Sequence, residues 1–412
     1  MKTNWKFLAA ACMACSMLTV ACDNENDDTP NPGLSGEIAA GTTLTGNITS
    51  DATLTEGASY KLSGGLHVKA GATLRIEPGV ELVAIDDEVP DYILIEQGAK
   101  IDAQGTASKP IVMTSELKEA GAWGGIHICG RAHTNAGTGV LSEIGNAPYG
   151  GSDDADNSGT LRYIRLEYTG FALDEEHEAN GISFYGVGNG TTVEYLQAYQ
   201  GSDDGFEFFG GSVNVKYLVV TSCSDDSFDW TEGWNGKGQF LVAYQEAEST
   251  LGYDCDCLME CDNNGNNAAA TPVAHPVLSN VTLVGNDSEA GTRGVRLRAG
   301  TEVELYNAIV TGKEKCITVE TPETENSFSK SEHPSKLEYV SMSTVLDSKE
   351  GIYTNEDFAA AEGNAADYVN ALTDKYVGTI DGGKTLADSF FTAAAYKGAV
   401  RSDANWTAGW TK

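Results

Sequence analysis

Short apolar runs of period two dominate the first part of this chain. Leu66 and Val68, Leu74 and Ile76, Val80 and Leu82, and Ile93 and Ile95 each occupy alternate positions, and Gly71, Gly79 and Gly98 fall between the runs. Alternation of this kind predicts strands of three to five residues that turn one face inward. No helical stretch lies between them, which excludes a sheet built from alternating strands and helices. Further on, one block occurs twice. Residues 193–208 read VEYLQAYQGSDDGFEF and residues 215–230 read VKYLVVTSCSDDSFDW, an offset of 22. A β-rich repeat of that length, punctuated by Gly and Asp-Asp, predicts one coil of a parallel β-solenoid.

Stacked coils set equivalent residues about 4.8 Å apart. Asp203 and Asp204 would then face Asp225 and Asp226. Strand alternation sends Phe206, Phe208, Phe228 and Trp230 inward and leaves Glu207 and Asp229 stacked outside. The β-helix is expected over 41–320, with excursions at 133–160 and 246–277 and with Asn280 over Asn307 as a ladder. Residues 321–412 read as a capping region. Helices are expected at 355–373, with Asn355 as N-cap, and at 385–397. An open solenoid end exposes strand edges and core, so a cap belongs there.

Composition and charge narrow the function. Gly is abundant (47) and Pro sparse (10) among 412 residues, with 41% apolar. That is turn-rich β composition with enough apolar sequence for a core. A net charge of −34 argues against a nucleic-acid partner, since phosphate binding needs a basic surface. It favours solubility or cation binding. Lys2 and Lys6 precede an apolar stretch, 7–21, too short to span a bilayer, and Ala21 precedes Cys22. Residues 1–21 resemble a bacterial lipoprotein signal, which makes Cys22 the acylated anchor to outer-membrane lipid. Thr19 stands where that pattern has Leu. In the tether 22–40, the stretch DNENDD resembles the acidic tag that exports lipoproteins of the Bacteroidota type to the cell exterior. Six further cysteines, Cys129, Cys223, Cys255, Cys257, Cys261 and Cys316, are disulfide candidates in such a compartment.

Carboxylates carry the candidate chemistry. Asp203, Asp204, Glu207, Asp225, Asp226 and Asp229 would crowd like charges, which calls for a bound cation, raised pKa values or nearby bases. Ca²⁺ suits clustered hard oxygens. The competing role is Asp capping of backbone amides at coil corners. Asp154, Asp156 and Ser158 open a D-x-D-x-S-G loop of calcium-binding type, although its twelfth position is Arg165 rather than Glu. Cys255, Cys257 and Cys261 lack zinc spacing and read as a stapled loop.

WGGIHICGRA, YGGSDDADNSGTLRYIRLEYTG, NGISFYGVGNGTTVEYLQAYQGSDDGFEFFGG and SDDSFDWTEGWNGKGQF resemble a family of bacterial pectin-lyase-fold lipoproteins and secreted proteins, as do SFFTAAAYKGA and NWTAGW. The resemblance implies an all-β, right-handed, single-stranded parallel β-helix and brings no settled activity. Polygalacturonases share the fold. Asp203-Asp204 resembles their acidic pair and Arg296-Leu-Arg298 loosely their basic element, but no histidine lies between His177 and His275. The leading expectation is a surface lipoprotein that binds an extracellular ligand, a glycan, through a calcium-ordered face without catalysis. Trp230 and Trp234 would stack on sugar rings. The alternatives are a polysaccharide lyase or glycoside hydrolase using the stacked carboxylates, and a structural or adhesive surface protein.

Overall fold

Each coil contributes to three parallel sheets that wind around one apolar core. The computed structural model describes residues 34–172 and 178–412. The signal-like segment, Cys22, the start of the tether and most of the 174–180 loop lie outside those residues. The first sheet runs through Tyr92–Ile95, Ile126–Cys129, Ile182–Tyr185, Phe206–Phe209, Phe228–Thr231, Met259–Asp262, Arg293–Arg298 and Lys315–Val319, each parallel to the next. The other two sheets share long bent strands: Gly159–Glu167, Thr192–Tyr199, Asn214–Thr221, Lys237–Tyr244, Val277–Val284, Glu304–Thr311 and Lys336–Met342. This is a right-handed parallel β-helix; the 22-residue repeat predicts the parallel coil, and the family resemblance implies its hand. Val193 pairs with Val215, and Phe208 with Trp230.

The bend between the second and third sheets departs from expectation. The glycines between the first apolar runs suggest glycine at the corners, because only glycine enters the left-handed region without steric cost. Here the column is Tyr163, Tyr195, Tyr217, Phe240, Asn280, Asn307 and Tyr339, all with φ between 50° and 61°. Left-handed backbone costs a side-chain-bearing residue roughly 1–2 kcal/mol. Stacking offsets it: ring centroids lie 4.4 Å apart for Tyr163–Tyr195, 4.3 Å for Tyr195–Tyr217 and 4.9 Å for Tyr217–Phe240. Asn280 and Asn307 continue the column and are tied across coils, Asn280 Oδ1 accepting from Gln239 and Asn307 Nδ2 donating to Ser279 Oγ, while both amide nitrogens also donate to the backbone of the C-terminal segment.

That segment corrects the capping prediction. The coils run one turn beyond 320, since Leu305 pairs with Leu337 and Thr318 with Asp347. They also begin earlier, with a strand at Gly36–Ile38. The helix at 355 is shorter than predicted, Asn355–Ala360, and its N-cap is Thr354, which forms a capping box with Asp357. Phe358 and Tyr353 close the end of the core. The region 385–397 holds no helix. It runs extended across the third sheet as a strap, because its backbone groups find side-chain partners there. Thr392 exchanges two bonds with the Gln239 amide, Lys384 N donates to Asn307, and Ala399 N donates to Thr282. Trp406 and Trp410 lie edge-on to the tyrosine column, at 5.2 Å from Tyr217 and 5.7 Å from Tyr163.

Candidate functional site

The first sheet sets one side chain per coil outward at the same height. Its register reads Ser183, Glu207, Asp229, Glu260, Arg296. Glu207 and Asp229 stack as predicted. Glu260 extends the run from within the predicted excursion 246–277, where Met259–Asp262 is a coil strand. Its alternating apolar and acidic pattern was readable. The 31-residue gap from Asp229, in place of 22, and the three cysteines obscured it.

Beside this ladder the Asp-Asp corners stack. Asp204 Oδ1 accepts the Asp226 backbone amide at 2.9 Å, and Asp226 Oδ1 accepts that of Cys257 at 2.7 Å. Ser224 Oγ bonds to the Ser202 carbonyl at 2.7 Å. The corner-capping role is therefore real, and it occupies one oxygen of each inner Asp. The remaining carboxylate oxygens face a cleft of about 330 Å³. It is lined by Glu143, Glu178, Asp203, Asp204, Glu207, Asp225, Asp226, Asp229, Asp256, Glu260 and a single base, Arg296.

Crowding and burial push these carboxyls toward the protonated form. Asp203 rises to about 7, through burial first and then the charge of Asp225. Asp225 rises to about 6, through burial and then Asp256. Asp204, Glu207, Asp226 and Asp229 are held well above the ordinary range, burial again leading. Little positive charge relieves them. Arg296 is committed to Glu260 at 2.8 Å and Glu320 at 3.4 Å. Arg298 is paired with Glu260 and Asp262. Four sets of ligand atoms lie within 4.8 Å of one another: Asp203–Asp204–Asp225, Asp204–Glu207–Asp229, Asp226–Asp229–Glu260 and Asp226–Asp256–Cys257. Dense hard oxygens of this kind suit Ca²⁺.

Other predicted site residues do not join the cleft. Asp154 Oδ1 accepts from the His133 backbone at 3.2 Å and from its Nδ1 at 2.7 Å, while Asp156 Oδ2 accepts from Arg131 N at 3.0 Å. Ser158 is buried, its amide held by Thr191. The D-x-D-x-S-G segment is thus a turn pinned to the neighbouring strand end, and no cation cluster among the described residues includes it. Trp230 and Trp234 are 2% and 1% exposed, so neither can stack on a sugar. Their indole nitrogens bond to Thr301 Oγ1 and the Val213 carbonyl. Strand alternation alone places Trp230 inside, away from any ligand. The disulfide candidates are likewise corrected: Cys129, Cys223, Cys255, Cys257, Cys261 and Cys316 are all free, buried thiols. Cys223, Cys261 and Cys316 pack as small apolar residues in the main core and Cys129 in a smaller cluster, whereas Cys257 Sγ lies 3.7 Å from Asp256 Oδ1. Glu143, Glu178 and Asp256 arrive from excursions, and no repeat marked them.

The chain belongs to the family described as pectate-lyase-like β-helix domain, which matches residues 46–411. Neither a curated protein nor a solved structure matches it.

Proposed function

We propose that this chain is a lipid-anchored surface protein whose acidic cleft binds Ca²⁺ and, through the bound ion, an extracellular acidic glycan, without cleaving it. The observation that carries this reading is the run of stacked carboxylates around one cleft with a single, already paired base. Apo, those groups must hold protons or repel. A divalent ion removes both penalties and leaves coordination positions open to a ligand carboxylate. Because the tryptophans are internal, recognition rests on charge and oxygen donors rather than on ring stacking. Anchoring through Cys22 and outward display through 23–28 remain part of the proposal and rest on the sequence alone. Arg296 is held as a cation by Glu260, so it would act in the cleft as a charge rather than as a base.

A second reading is favoured by one observation. Glu207, Asp229, Glu260 and Arg296 occupy consecutive heights on one wall, so a cation and a guanidinium would flank the same bound chain. On a pectate-lyase-like frame that arrangement suits a uronan lyase. One experiment separates the two. Polygalacturonate and other acidic glycans are offered with calcium and with chelator, and both retention and the ultraviolet absorbance of an unsaturated product are read. Calcium-dependent retention with no new absorbance supports binding. Absorbance that disappears in Asp229→Asn establishes the lyase. No retention and no absorbance for any acidic glycan rejects both.

A further inference from the structure

The repeat that builds the cleft also counts its sites. Glu207, Asp229 and Glu260 are three consecutive acids in their ladder, with Ser183 before them and Arg296 after. Three stacked acids enclose two gaps. Each gap receives one corner carboxylate from the coil it opens on: Asp204 joins Glu207 and Asp229, and Asp226 joins Asp229 and Glu260. These two constellations are the same arrangement moved by one coil, and they share Asp229. The series stops there because Cys257 takes the next corner position, its backbone amide bonding to Asp226 as that of Asp226 bonds to Asp204.

A second observation points to ligands in these gaps. Asp229, the residue common to both, has a buried Oδ1 with no hydrogen-bond partner. Asn180, 1% exposed, fixes Glu207 Oε2 at 2.6 Å through its nitrogen, while its amide oxygen is buried and unpartnered. A buried carboxylate oxygen without a donor is costly unless a cation completes it.

We propose that the cleft holds two divalent cations about one coil rise apart, roughly 4.8 Å, bridged by the Asp229 carboxylate. The rim acids Asp203 and Asp225 help complete their oxygen shells. This rests on the reading that the cleft binds cations at all, and the test separates the two claims. The whole chain, stripped with chelator, is titrated calorimetrically with CaCl₂. In parallel it is loaded with Mn²⁺ and its electron paramagnetic resonance spectrum recorded. Two tightly bound ions per chain and a spin-coupled Mn²⁺ pair are expected. Glu207→Gln and Glu260→Gln should each bind one ion and give an uncoupled spectrum, and Asp229→Asn should lose the coupled pair. One ion per wild-type chain, or two without coupling, overturns the bridged pair and leaves the cation-binding cleft standing. No bound ion overturns both. The wild-type stoichiometry and spectrum decide the matter even if a variant fails to fold.

Discussion

Asp203→Asn should make the ion-free protein more stable, and only at neutral pH. Asp203 is 8% exposed and its carboxyl is raised from 3.8 to about 7. A raised carboxyl pKa means the unfolded chain ionises first. The penalty is nearly absent below 3.8, grows as pH climbs toward 7, and is complete above it. At 1.36 kcal/mol per pKa unit the burden at pH 7.5 is about 4 kcal/mol, and at pH 4 under about 1 kcal/mol. The first figure is an upper bound, because Asp225 shares the titration. At the usual unfolding entropy per residue, the described chain loses about 0.8 kcal/mol per kelvin, so about 4 kcal/mol corresponds to roughly 5 °C in Tm. The assay is a thermal melt of wild type and Asp203→Asn in chelator at pH 4 and 7.5. Saturating calcium at pH 7.5 should close the gap by stabilising the wild type. A variant less stable than wild type at pH 7.5 in chelator, or an equal shift at both pH values, would refute the account of the cleft as a store of ionic repulsion.

Three further outcomes follow from the same geometry. Trp230→Ala should cost about 3–5 kcal/mol in denaturant melts by emptying a core position, while glycan affinity per folded molecule stays unchanged; lost affinity with an unchanged melt would put the indole back at the ligand. His275 lies between Glu302 and Glu304 at 2.7 and 3.5 Å, and although burial opposes its charge these partners raise it to about 9. Its contribution is full below about 6.5 and is lost as pH rises through 9, up to about 3 kcal/mol, so His275→Gln should flatten that limb of the stability profile; an unchanged limb contradicts the pairing. Tyr217→Gly should be less damaging than Tyr217→Ala by about 1 kcal/mol, since both remove the stacked ring but only glycine relieves the left-handed backbone; urea midpoints in the opposite order would show that φ is not the constraint.

The coil and the core alternation were legible because each follows from a local period. The repeat placed Phe206 over Phe228 and Glu207 over Asp229 without reference to anything distant in sequence. What stayed hidden depends on inserted lengths and on tertiary partners. Glu260 was lost because an insertion broke the spacing. Residues 385–397 suggest a helix because they are rich in Ala, and nothing local announces that Gln239, Asn280 and Asn307 hold the backbone of this strap. The tyrosine corners defeat a rule that assigns left-handed positions to glycine, since stacking across coils is invisible within any one of them. The free thiols show the converse: an even cysteine count suggests pairing, but Cys223, Cys261 and Cys316 fill positions in the main apolar core and Cys129 one in a smaller cluster.

Solenoids ordinarily unravel one layer at a time, because each layer touches only its neighbours. The C-terminal crossing changes that arithmetic. Lys412 N bonds to Gln197, Thr392 to Gln239, Ala399 to Thr282 and Lys384 to Asn307, so one continuous segment is fastened to layers far apart in the sequence. Peeling the final layer therefore strains attachments at the middle of the stack. The middle and the end should melt as one cooperative block, with amide-exchange protection that does not decline toward the C-terminus.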